Sequence, residues 1–214
     1  MRIGVIGATG MAGSAIYKEA VKRGEDVVAL VRDAQKAQDV LGASGEQVQV
    51  VDAFALTSAD VEGFDAIVDA FATAPDLAEQ HIELAKHLVS IAGATKPRLV
   101  FILGAGSLLA GEDKHFHVED IAKVPGSEAW INIPSQQKLE LDYLRTVEGV
   151  DWVGASPQDA FIPGEATTPK LGGDELMFAA DGKSHTTNGT MAIAILDELQ
   201  NPQHRNTRFT ASDA

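Results

Sequence analysis

The chain has 214 residues, 45% of them apolar and none of them cysteine, and it carries a formal charge of −14 at neutral pH. That length supports one sizeable core and a single domain over 1–214, while the missing cysteines exclude disulfides, thiolate metal sites and a cysteine nucleophile. The acidic balance and the lack of any basic cluster exclude a nucleic-acid backbone as partner, and no apolar run approaches the roughly 20 residues of a membrane span or leads into a cleavable signal, so a soluble cytoplasmic protein is expected.

The first apolar run, 3–6, reads as a buried strand and ends in Gly7-Ala8-Thr9-Gly10-Met11-Ala12-Gly13. A strand has to end and a helix begin within these residues. Gly7 lets the chain turn without a Cβ clash, Gly10 allows close backbone approach, and Gly13 lets the following helix, 12–22, pack tightly on the sheet with its N-terminal amides aimed at an anion. Three glycines at this spacing match many turns by chance. After a strand and before a helix, they read as a seat for the diphosphate of a dinucleotide.

The second strand, 27–31, ends Ala29-Leu30-Val31-Arg32. An NAD-selective site places an acid at this point to hold the ribose 2′-hydroxyl, whereas a guanidinium fork suits a 2′-phosphate, so NADP(H) is preferred over NAD(H). The alternative is an Arg32 paired with Asp33 or lying on the surface.

Further strands are expected at 48–51, 66–70, 99–103 and 152–155, with a helix over 77–91 whose Leu77, His81, Leu84, Leu88 and Ile91 share a face. On that face His81 reads as a packed histidine rather than a ligand. The stretches around 105–134 and 157–186 are broken by glycine and proline and read as loops forming an acceptor pocket, before a helix over 189–199 and a last strand over 207–210. Strand and helix alternate, which predicts an α/β fold: a doubly wound, mainly parallel sheet in three layers.

These residues resemble the atypical branch of the short-chain dehydrogenase/reductase superfamily, with its Rossmann-type fold, and within it the NmrA-like proteins, biliverdin reductase B and, most closely, the NADH-flavin reductase group. The resemblance rests on the glycine segment, on Val31-Arg32-Asp33, on Ser156-Pro157 through Phe161-Ile162-Pro163-Gly164-Glu165, and on Ala192-Ile193-Ala194-Ile195-Leu196-Asp197-Glu198-Leu199, and it covers nearly the whole chain. It implies that Asp52 and Ala53 approach the adenine and that Ala70 and Phe71 flank the adenosine ribose and diphosphate. It further implies that Gly104, Ala105, Gly106 and Ser107 lie near the nicotinamide, and that Pro157 shapes the nicotinamide side. All are at the carboxyl ends of expected parallel strands, where ligands sit in such sheets.

The sequence departs from the superfamily at its Tyr-x-x-x-Lys pair: the residue four before Lys138 is Pro134, and neither Tyr17 nor Tyr143 precedes a lysine by four. Hydride transfer from NADPH to a planar flavin or quinone-like acceptor needs no such pair, because the acceptor takes its proton from solvent. Flavin is then a substrate rather than a resident cofactor. The rival reading is an NmrA-like protein that binds NADP(H) and reports on it without turnover; an epimerase or dehydratase would need the missing pair. Ser107 is the candidate to hydrogen-bond the acceptor or the nicotinamide carboxamide, or else a plain cap. His115 and His117 lack metal-ligand spacing and read as part of a solvated acidic loop, so no metal is expected. Lys138 either meets ribose or faces water, and Trp130, Phe116 and Phe161 either stack on the acceptor or seal the loops. A monomer or homodimer is expected.

Overall fold

The computed structural model describes residues 1–42, 47–93 and 96–214. Its main sheet has eight strands in the order β10-β12-β8-β5-β4-β1-β2-β3. They are β1 (Arg2–Ile6), β2 (Asp26–Val31), β3 (Val48–Val50), β4 (Ala66–Asp69), β5 (Arg98–Ile102), β8 (Trp152–Ser156), β10 (Lys170–Gly172) and β12 (Thr207–Ser212). All neighbours run parallel except β10, which pairs antiparallel with β12 at the edge.

Side chains alternate between two cores because both faces of the sheet are covered. Ile3, Val5, Val68, Val100 and Val153 point to one face, under α1 (Met11–Lys22), α2 (Ala34–Leu41) and α7 (Asn188–Gln200). Ile67, Leu99, Phe101 and Trp152 point to the other, under α3 (Ser58–Val61), α4 (Gln80–Ile91) and α6 (Asn132–Leu144). This is the three-layer, doubly wound architecture expected from the runs of consecutive apolar residues.

Two expectations are corrected in detail. The 77–91 helix begins at Gln80: Pro75 opens a separate 3₁₀ turn, Pro75–Leu77, which takes Leu77 out of the buried stripe and leaves it 48% exposed. The 157–186 loop contributes the edge strand β10, and β9 (Ala160–Ile162) and β11 (His185–Thr187) at its two ends pair with each other. These strands are three residues long, too short for alternation to reveal them. In the first loop, β6 (Leu109–Ala110) and β7 (His115–Phe116) form a small hairpin followed by α5 (Val118–Ile121). No helix among the described residues is long and apolar enough to cross a membrane.

The chain winds outward from β1 through β2 to β3, then returns to β4 and continues the other way. The carboxyl ends of β1 and β4 therefore face a crevice that neither loop fills, the switch point at which such sheets bind ligands.

Candidate functional site

Ile6 ends β1, and Gly7 turns the chain with φ +70°, where a Cβ would lie 2.3 Å from the Ala70 carbonyl oxygen. A Cβ on Gly13 would lie 2.2 Å from the Gly7 oxygen, so α1 can approach the loop only at a glycine. Gly10 differs: its amide donates to the Gly7 carbonyl at 2.8 Å, but an added Cβ would meet only that oxygen, at 3.3 Å. Packing asks much less of Gly10, and it is Gly10 that lines both cavities of the crevice. No side chain caps α1, which leaves its first amides directed into the crevice, as an anion site requires.

The cavity on the β2 side, of about 260 Å³, is lined by Gly7, Thr9, Gly10, Arg32, Asp52, Ala53, Ala70 and Phe71, all named from the sequence. Arg32 is exposed and has no hydrogen-bond or ion-pair partner among the described residues. Asp33 does not neutralise it, because its carboxylate accepts the Lys36 amide at 3.0 Å and caps α2. Lys36 also lines this cavity, a second unpaired cation that the sequence reading missed. The signal was available: Asp33 as N-cap places Lys36 in the first turn of α2, beside Arg32.

The second cavity, of about 300 Å³, lies over β5 and β8 and shares Gly10, Ala70, Phe71 and Ala72 with the first. Met11, Ala12, Gly104, Ala105 and Pro157, named from the sequence, line it together with Trp130 and Phe161. Gln137 and Pro134 of α6 line it too, and were not anticipated there; a Cβ on Gly104 would collide with Gln137 Oε1 at 2.2 Å, so that glycine admits the amide.

Three named residues lie elsewhere. Ala8 is buried in the α1-side core and Gly13 packs on Gly7, so neither lines a cavity. Ser107 is turned away from the cavity: its Oγ accepts from Arg208 Nη1 at 3.2 Å and donates to the Gly104 carbonyl at 3.4 Å. The hydroxyl thus answers the buried guanidinium of β12, a long-range partner with no local signature.

Of the open residues, Lys138 pairs with Asp142 at 2.8 Å and lies over the Phe116 ring, and neither Lys138 nor Phe116 lines the cavities. His115 sits between Asp113 and Asp120 at 2.6 and 2.8 Å, and His117 Nε2 meets Asp159 at 2.5 Å, which joins the two loops over the cavity. His81 is buried as expected and packs edge-on against Phe71, but it also lines the second cavity, with Nε2 unpartnered. Burial lowers its pKa to about 4, which keeps the ring neutral. Behind the same wall, burial raises the Asp69 carboxyl to about 7 even though it accepts the Phe71 amide at 3.0 Å. Glu140 is pushed well above the carboxylate range by burial and then by Asp69. Tyr17 and Tyr143 line neither cavity.

Amides at a helix terminus, with cations one strand away, meet the needs of a dinucleotide and place the chain among the dinucleotide-binding α/β proteins. It belongs to the NAD(P)H-binding family, whose model matches residues 7–202. YwnB of Bacillus subtilis (strain 168) is 39% identical over 213 residues, covering 98% of this chain and 97% of YwnB. A crystal structure of a Lactobacillus casei protein is 41% identical with a TM-score of 0.92, over 100% of both chains. A Streptococcus pneumoniae TIGR4 protein described as "a putative NADH-flavin reductase" is 32% identical with a TM-score of 0.89, again over 100% of both chains.

Proposed function

We propose that the chain is an NADPH-dependent reductase acting on a planar flavin or quinone-like acceptor. One observation carries this reading: a cavity holding two unpaired cations, Arg32 and Lys36, opens past Gly10 and Phe71 into a second cavity that is largely apolar.

In this reading the first amides of α1 hold the diphosphate, and Arg32 with Lys36 takes the ribose 2′-phosphate. Asp52 and Ala53 border the adenine, Ala70 and Phe71 separate the two halves, and Gly104, Ala105 and Pro157 floor the nicotinamide side. Ile102, Leu103 and Phe161 exclude water from the reacting face. A bound dihydronicotinamide supplies the hydride, and the acceptor, as substrate, takes its proton from water. Among the described residues no tyrosine or lysine lines the second cavity, which suits an acceptor that takes its proton from water and disfavours ketone or alcohol chemistry.

The same lack of a lining tyrosine or lysine supports a second reading, an NADP(H)-binding sensor without turnover. Purified protein with NADPH and a panel of FMN, riboflavin and quinones, followed at the nicotinamide absorbance, separates the two. Oxidation above the no-enzyme control is expected for at least one acceptor. Tight NADPH binding with no such oxidation would establish the sensor instead.

A further inference from the structure

We infer that the acceptor cavity is built for an uncharged ring bearing carbonyl groups, a riboflavin or quinone nucleus, and discriminates against phosphorylated flavins and other anionic acceptors. The inference rests on the reductase reading and narrows its substrate class.

The two halves of the crevice differ in the cations they offer. Arg32 and Lys36 line the first cavity with no ion pair among the described residues, beside the Asp33 and Asp52 carboxylates that accept backbone amides of their own turns, whereas among the described residues no lysine or arginine lines the second. Lys170 and Lys183 of the 157–186 segment are exposed and line neither cavity, and other cations near the second cavity are engaged by acids. Lys114 meets Glu175, Lys123 meets Asp120 and Lys138 meets Asp142, each at 2.8 Å, while Arg145 meets Asp174 at 2.9 Å and Arg208 meets the same carboxylate. Among the described residues the one acid or base of the Asp, Glu, Lys and Arg set on the wall is Asp159, half-exposed, with one carboxylate oxygen against His117 Nε2. An acceptor phosphate held there would face a carboxylate, a chain of net charge −14 and the phosphates of the cofactor, with no cation to offset its desolvation.

The free polar groups of the wall are neutral. His81 Nε2 is buried without a partner, and the Gln137 amide has none among the described residues. Gln158 is already committed, donating to Thr210 Oγ1 at 2.7 Å and accepting from the Met177 amide at 2.6 Å. An imidazole and an amide suit ring carbonyls and an imide N–H, and Phe71, Trp130 and Phe161 supply aromatic surface for the ring.

Riboflavin and FMN share one isoalloxazine and differ by the phosphate, so they isolate the charge. With the full chain saturated in NADPH at low salt, kcat/KM for riboflavin is expected to exceed that for FMN about tenfold, and the ratio to fall towards one as salt rises to about 0.5 M. Asp159→Asn, which keeps the acceptor atom for His117, should narrow the ratio at low salt. Flavin fluorescence titrations onto NADP⁺-saturated protein provide the readout that needs no turnover. An FMN equal to or better than riboflavin at low salt overturns the inference, as does binding of neither flavin. Preferred binding of riboflavin without NADPH oxidation leaves the inference standing and removes the reductase reading.

Discussion

Arg208 Nη1 lies 3.2 Å from Ser107 Oγ and 3.0 Å from Ser156 Oγ, so one buried guanidinium on β12 ties the loop after β5 to the end of β8. Its Nε also reaches Asp174 at 3.0 Å, which brings in the loop that follows β10. The floor of the second cavity is thereby held from below, and Ser107 belongs to that support. Ser107→Ala is expected to lower stability by about 1 kcal/mol, one hydrogen bond, while leaving NADPH affinity and turnover within about twofold. Urea unfolding and steady-state rates check this. A large loss of kcat at unchanged stability would mean that the hydroxyl reaches the acceptor after all.

The three glycines of the first loop should separate by phenotype. Gly7→Ala must adopt φ +70° and approach the Ala70 carbonyl at 2.3 Å, so a stability loss of more than about 2 kcal/mol is expected. Gly10→Ala meets one oxygen at 3.3 Å and should fold nearly as well as the parent, yet bind NADPH at least about tenfold more weakly because its methyl group enters the crevice. Calorimetric titration beside denaturant melts tests the pair. Parent-like NADPH affinity in a folded Gly10→Ala would move the diphosphate away from this loop.

Arg32→Asp should weaken NADPH far more than NADH, by about 2 kcal/mol or roughly thirtyfold in the ratio of dissociation constants, with Lys36→Ala giving a smaller change in the same direction. Equal losses for the two coenzymes would take both cations off the 2′-phosphate.

Asp69 and His81 impose opposite pH slopes on stability. Burial holds Asp69 protonated up to about pH 7, whereas the unfolded chain releases that proton near pH 4. The folded state therefore binds more protons between these values, and this group destabilises the fold progressively as pH rises from about 4 to 7; Glu140 acts with the same sign. His81 stays neutral down to about pH 4 when folded but protonates near 6.5 when unfolded, so its contribution is lost as pH falls through that range. Asp69→Asn keeps the acceptor for the Phe71 amide and removes the first slope. Urea melts at pH 5 and pH 8 should then show the variant gaining on the parent between the two, by about 2–3 kcal/mol. A parallel shift at both pH values would contradict the buried, protonated Asp69.

Much of this molecule could be read before its structure was known, for local reasons. β1, β4 and β5 are continuous apolar runs because both faces of the sheet are covered, and the glycine segment has steric demands that do not depend on distant residues. Most residues lining the first cavity sit at or just after strand ends, where the family resemblance also put them, and Lys36 of α2 is the exception. What escaped the reading depends on partners far along the chain. Ser107 turns towards Arg208, 101 residues later, and Gln137 enters the second cavity because α6 crosses Gly104, where no Cβ blocks it. Leu77 has helical spacing with His81 and Leu84, but Pro75 starts a separate turn and breaks that register.

α1 is held by α7 at both ends: Asn188 Nδ2 donates to the Met11 carbonyl at 3.0 Å, and Arg23 Nη1 to Asp197 at 2.7 Å. α1 is thus steadied by a helix that leaves the ribosome long after it. A nascent chain carries the glycine residues well before α7 exists to hold their helix in place, so coenzyme capture waits for synthesis to pass α7.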